Sequence, residues 1–89
     1  MKIPYEFVER TIAGEHFLVP VGEAAKAYKG LFALNELGAF IWKNIPQAEN
    51  ETQLVDMVLD EYDVDRETAA KDVREFMEKL TTMGVVEQV

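Results

Sequence analysis

The spacing of hydrophobic and polar positions changes period once along this chain, near Asn35. Before that point it is strand-like. Phe7, Val8, Thr11 and Ile12 make residues 7–13 dense in aromatic and β-branched side chains, and the run ends at Gly14-Glu15. Glycine at the first central position of a two-residue loop predicts a type II′ hairpin. Over residues 16–21, Phe17, Val19 and Val21 alternate with His16, Leu18 and Pro20. This predicts a second strand with His16 on its more exposed face. Pro20 has no N–H to give to a ladder and is expected at the strand end. Residues 22–29 form a longer connection, and residues 30–34 complete a three-stranded antiparallel meander. That third strand contains neither proline nor a charge, so nothing in it discourages pairing with another chain.

After Asn35 the period is helical. Asn35 is placed to cap a helix that ends near Asn44, with Pro46 just beyond. Leu37, Phe40, Ile41, Trp42 and Ile45 cover much of its circumference, which predicts a central, buried helix. Gly38 inside it costs helix propensity and signals close approach of another element. A second helix starts at Asn50, with Gln53 as its capping-box partner. Its apolar face is Leu54, Val55, Val58, Leu59 and Tyr62, with Asp56, Asp60 and Glu61 toward water. Asp65 caps the third and longest helix, for which Gly84 is the expected left-handed stop, with Val85-Val86 as a short strand or packed tail. On this third helix Ala69, Val73, Phe76, Leu80 and Met83 form one stripe. One shoulder of the stripe is charged, with Asp72 and Lys79. The other carries Ala70, Met77 and Thr81, bordered by Arg74. This apolar shoulder either packs on the sheet or a subunit, or walls a groove.

Composition narrows the function classes. Eighty-nine residues make a single domain, 1–89, able to bury roughly 60–65% of its unfolded surface. The chain has no cysteine, which excludes a disulfide framework, thiolate metal site or thiol nucleophile and suits the cytoplasm. It has no serine to act as a nucleophile, and His16 is its one histidine, which argues against a transition-metal site. Asp60, Glu61, Asp63 and Asp65 have the look of a calcium loop but lack its central glycine and terminal glutamate. Gly22 and Gly30 belong to no phosphate-cradling motif. No apolar run approaches the roughly 20 residues of a membrane span, and the opening Met-Lys-Ile-Pro-Tyr has no signal-peptide apolar core. The net charge of -8, from 17 acidic and 9 basic residues, repels nucleic acid unless the cations cluster. They do not: Lys26 and Lys29 lie mid-chain, while Arg66, Lys71, Arg74 and Lys79 are spread around one helix. These features predict no cofactor, no metal and no catalysis by this chain alone.

One stretch carries a family resemblance. Gly30-Leu-Phe-Ala-Leu-Asn-Glu-Leu-Gly-Ala-Phe-Ile-Trp42 resembles the L-N-x-x-G-x-x-I-W core of PqqD-like proteins. Glu-Tyr-Asp-Val-Asp at 61–65 and Asp-Val-Arg-Glu-Phe-Met-Glu-Lys-Leu at 72–80 look like that family's second and third helices, and Gly84-Val-Val is similar to its terminal glycine-aliphatic pair. The resemblance spans about residues 5 to 87. It implies an α+β, winged-helix-like domain: a three-stranded antiparallel sheet followed by a three-helix bundle. It also implies a peptide chaperone, a recognition element that binds the leader of a ribosomally made, later modified precursor peptide. The element presents that leader to a modifying enzyme, often a radical SAM protein, as in PQQ biosynthesis. In the family the leader adds a strand to the third strand and lies against the third helix. Mapped here, the peptide-binding residues are Gly30, Leu31, Phe32, Ala33 and Leu34, faced by Ala70, Val73, Arg74, Met77 and Thr81. Met77 would adapt to an apolar leader residue and Arg74 would meet a leader carboxylate.

Two other readings stand beside this one. A winged-helix nucleic-acid regulator should carry Arg, Lys or Asn at the start of its recognition helix, but the third helix opens Asp65-Arg66-Glu67. A homodimeric structural module, strand-paired or swapped through the unguarded third strand, is compatible with peptide binding.

Overall fold

The computed structural model describes residues 6–28 and 30–83. Its elements run β1 (Glu6–Ile12), β2 (Glu15–Val21), α1 (Glu23–Ala27), β3 (Phe32–Leu34), α2 (Glu36–Asn44), a 3-10 turn (Ile45–Gln47), α3 (Glu51–Glu61) and α4 (Arg66–Thr82). The sheet is antiparallel with the order β1-β2-β3. The architecture is therefore the expected α+β one, a three-stranded sheet and then helices, with one addition. The connection after β2 contains α1. Its Glu-Ala-Ala-Lys-Ala sequence favours a helical turn, and Glu23 and Lys26 pair across it at 3.3 Å. Five residues are too few for a periodic signal.

The hairpin differs from expectation by one residue. Its central pair is Ala13-Gly14, at φ +53° and +81°. Both are left-handed, which makes the turn type I′ rather than type II′, and Glu15 becomes the first residue of β2. The twist of a I′ turn matches that of the strands it joins, which offsets the cost of placing alanine in this region.

The sheet also turns its other face inward. Leu18 is wholly buried, and Phe32 and Leu34, paired with Leu18 and His16, pack on the core. The His16, Leu18 and Pro20 row thus faces the helices, and Phe17, Val19 and Val21 are the half-buried outer row. Both rows of β2 are largely apolar, so alternation alone could not choose between them; Phe32 and Leu34 decide it. His16 sits within 3.1 Å of Glu9 Oε1 and 3.2 Å of Thr11 Oγ1, on strand positions of the same face.

The three predicted caps close their helices. Gly38 N–H donates to Asn35 Oδ1 at 2.7 Å, Gln53 N–H to Asn50 Oδ1 at 2.9 Å, and Thr68 N–H to Asp65 Oδ1 at 2.7 Å. The Gln53 side chain reaches back to accept from the Glu49 N–H at 2.8 Å, one residue before the Asn50 N–H that a capping box would use. The largest fully buried side chains are Leu18, Ile41, Ile45, Leu54, Val58, Val73 and Met77, so the core lies between β2, α2, α3 and α4. The expected stop at Gly84 and the tail Val85-Val86 lie outside the described residues.

Candidate functional site

Among the described residues β3 hydrogen-bonds to β2 on one side only, and its outer edge is open. The register says which groups that edge offers. Ile12 and Glu15 close the two-residue hairpin as a hydrogen-bonded pair, so Arg10↔Phe17 and Val8↔Val19 are hydrogen-bonded pairs as well. Phe17 therefore directs its backbone at β1, while His16 and Leu18 direct theirs at β3. Their partners Leu34 and Phe32 spend their backbone groups on β2, and Ala33, between them, turns its N–H and C=O outward. The same alternation aims the Pro20 nitrogen past the end of β3, where no acceptor is lost.

Below the open edge lies a hollow of about 390 Å³. Leu31, Phe32, Ala33, Leu34 and Asn35 form one wall, Phe76, Lys79, Leu80 and Met83 of α4 form the other, and Leu18 contributes to the lining. Leu31 leaves half of its surface, 50%, in water. Two contacts hold the walls apart and in place. Gly38 of α2 lies so close to α4 that a Cβ there would meet Phe76 Cε1 at 3.0 Å, the close approach its position predicted. Tyr28 donates its hydroxyl to the Met83 carbonyl at 2.6 Å, tying the α1–β3 connection to the end of α4. Its ring also stands edge-on to Phe7 and Phe32, with centroids 5.4 and 5.8 Å away, and Phe7 meets Trp42 at 6.1 Å. A second hollow, about 280 Å³, continues from the first along α4. It shares Asn35, Phe76 and Lys79 and adds Asp72 and Glu75.

The predicted site residues divide sharply. Leu31, Phe32, Ala33 and Leu34 line the hollow, but Gly30, at φ +91°, stands before the strand rather than in it. The predicted wall on α4 is turned away. Val73 and Met77 are wholly buried in the core. Arg74 donates to Glu51 Oε2 of α3 at 2.9 Å and to Glu78 Oε1 at 3.0 Å. Arg74 and Thr81 border a separate shallow hollow with Glu78 and Thr82, and Ala70 is exposed, outside the hollow under β3. Of that shoulder the fold buries Met77 and ties Arg74 to α3, while Ala70 and Thr81 stay exposed. The hollows lie instead on the opposite, charged side of the stripe, with Lys79 in the lining of both and Asp72 in the second. The signal that could have found it is Gly38, whose close neighbour on α4 is Phe76.

Among the described residues no cluster of His, Cys, Asp and Glu could hold a metal ion, and no helix is long and apolar enough to cross a membrane. Arg66, at the start of α4, is engaged with Asp56 at 2.7 Å.

Comparison with known proteins bears on this geometry. The family model described as coenzyme PQQ synthesis protein D (PqqD) matches residues 15–86, from the start of β2 to beyond α4. Among solved structures, TbiB1 in complex with the TbiA(beta) leader peptide is similar over 100% of this chain and 98% of that one, with a TM-score of 0.74 and 28% sequence identity. No curated protein matches the chain significantly.

Proposed function

The chain belongs to the family of coenzyme PQQ synthesis protein D, and from that premise we propose that it is the recognition element for a ribosomally made precursor peptide. It captures the peptide's leader as an added strand on the open edge of β3 and presents the peptide to its modifying enzyme. The observation that carries this reading is the free edge of β3 standing over an apolar hollow against α4. Main-chain hydrogen bonds to Ala33 supply affinity with little demand on sequence, and the hollow selects side chains on alternate positions of the added strand. The likeness to TbiB1, a protein seen with a leader peptide, supports the same occupant.

In this reading the contact residues are Leu31, Phe32, Ala33 and Leu34 on the strand and Phe76, Lys79, Leu80 and Met83 on α4. The chain contributes recognition, and the chemistry belongs to a partner enzyme of the radical SAM type, with both working in the cytoplasm. Without peptide, the open edge is available to β3 of a second copy, and a strand-paired homodimer would give way to the leader.

The test is an amide-resolved NMR titration with the leader of a precursor peptide encoded beside this chain. Saturable shifts concentrated at Leu31 to Asn35 and at Phe76, Lys79, Leu80 and Met83 are expected. Shifts confined to the Arg74 and Thr81 side of α4 would overturn the site, and the absence of any saturable shift would overturn the function.

A further inference from the structure

We infer that Lys79 selects the peptide by charge: the occupant of the groove carries an aspartate or glutamate that meets Lys79, on the same strand face as the apolar side chains that fill the hollow. This rests on the groove reading above and goes beyond it by naming the chemistry the groove accepts.

Lys79 is exposed and lines both hollows on this side of α4. It takes part in none of the ion pairs among the described residues, and neither do Arg10, Lys43 and Lys71, but of these four cations Lys79 is the one that lines the hollows beside β3. Glu75, one turn earlier on the same helix, lines the neighbouring hollow without pairing with it. In the hollow under β3, Lys79 is the one charged side chain in a lining otherwise made of Asn35 and apolar residues.

Its effect on a docked strand follows from desolvation. A peptide laid along β3 strips water from whatever it covers, and covering an ammonium with an apolar or cationic side chain leaves it without compensation. A carboxylate at that register replaces the lost water with a charge-assisted hydrogen bond. Lys79 thus rejects wrong peptides as much as it attracts the right one. Because side chains alternate along a strand, the acid and its apolar neighbour on the groove side fall two residues apart, in the pattern apolar-x-acid or acid-x-apolar. The overall negative field of the protein draws cationic peptides in general, so this preference is local to one position and not a matter of net peptide charge.

The test is selection from a random library of displayed 12-residue peptides against the immobilised chain, wild type and Lys79→Glu in parallel. Expected is enrichment of alternating apolar residues in both selections, with Asp or Glu two positions from an apolar anchor for wild type and Lys or Arg at that place for Lys79→Glu. Synthetic peptides that differ only there should show an affinity difference of about two- to fivefold, the range of an exposed ion pair, reversed between the two proteins. Alternating apolar peptides with no charge preference at any position would overturn the role of Lys79 and leave the groove intact, its aliphatic stem serving only as cover. Selected peptides that fail to shift the Phe32 to Leu34 amides would overturn the groove reading and the inference together. Equal melting temperatures of the two proteins exclude loss of fold as the cause.

Discussion

The two shoulders of α4 share a helix, a cap and a backbone, yet do opposite work. On one, Val73 and Met77 are wholly buried and Arg74 is clipped to Glu51 of α3. On the other, Phe76 and Met83 are half-covered, Lys79 is exposed, and the surface opens toward the free edge of β3. On the first side the fold consumes the large apolar side chains, Val73 and Met77, and leaves only Ala70 and Thr81 exposed beside Arg74. The mixed side, apolar enough to hold a side chain and polar enough to stay in water, is what remains for a partner. A surface must be soluble before it is bound, so the better candidate for transient peptide capture is the side whose apolar residues stay half-covered beside a charge.

The strongest way to break this comparison is Met77→Ala. The side chain is 0% exposed, and removing it leaves a cavity beneath both α3 and α4. The expected loss is about 2–5 kcal/mol of unfolding free energy, measured by denaturant titration. Leader affinity, corrected for the folded fraction, should not change. A stable variant that has lost its peptide would return Met77 to the binding face.

Ala33→Pro probes the other side. Ala33 is exposed, and its N–H points away from β2 toward the open edge, a position where a sheet tolerates proline. The substitution removes the central donor of that edge and sets a ring against any incoming strand. Peptide affinity should fall about tenfold, the order expected for one lost hydrogen bond plus the steric block. The β1–β2 amides should keep their chemical shifts. Unchanged affinity in a calorimetric titration would mean that the peptide does not pair with β3.

How much of this was legible beforehand depended on whether the deciding interaction is local. The caps at Asn35, Asn50 and Asp65 join residues three apart, and sequence located all three. Gly38 announced a close neighbour, and Phe76 is that neighbour. The face of β2 was not legible, because both of its rows are apolar and the choice is made by Phe32 and Leu34, paired across the sheet. The side of α4 that faces β3 was not legible for the same reason. A helical stripe fixes which residues are buried, but its rotation against α3 and β3 depends on packing at a distance, and the Arg74–Glu51 pair that records it joins residues 23 apart. The type of the hairpin turn depended on one residue of register, which alternation over a seven-residue strand does not fix.

The smallest expected effect sharpens the comparison by acting on both shoulders at once. Asp65 caps α4, and the Thr68 N–H, followed by the Thr68 hydroxyl, holds its carboxyl below the ordinary carboxylate range. A carboxyl depressed in the folded state stabilises the fold fully above its unfolded value of about 4, and that contribution is lost as pH falls through the lower folded value. Asp65→Asn keeps the capping geometry without the titration. Melting temperatures of the two proteins should therefore differ near neutral pH, where the charged cap also favours the positive end of the helix, and converge as the pH drops below about 4. Leader affinity measured near neutral pH should be the same for both, because the cap supports the core shoulder and the groove shoulder alike and touches neither. A gap in melting temperature that stays constant down to the most acidic pH at which the protein folds would show that the Asp65 charge contributes nothing to holding α4.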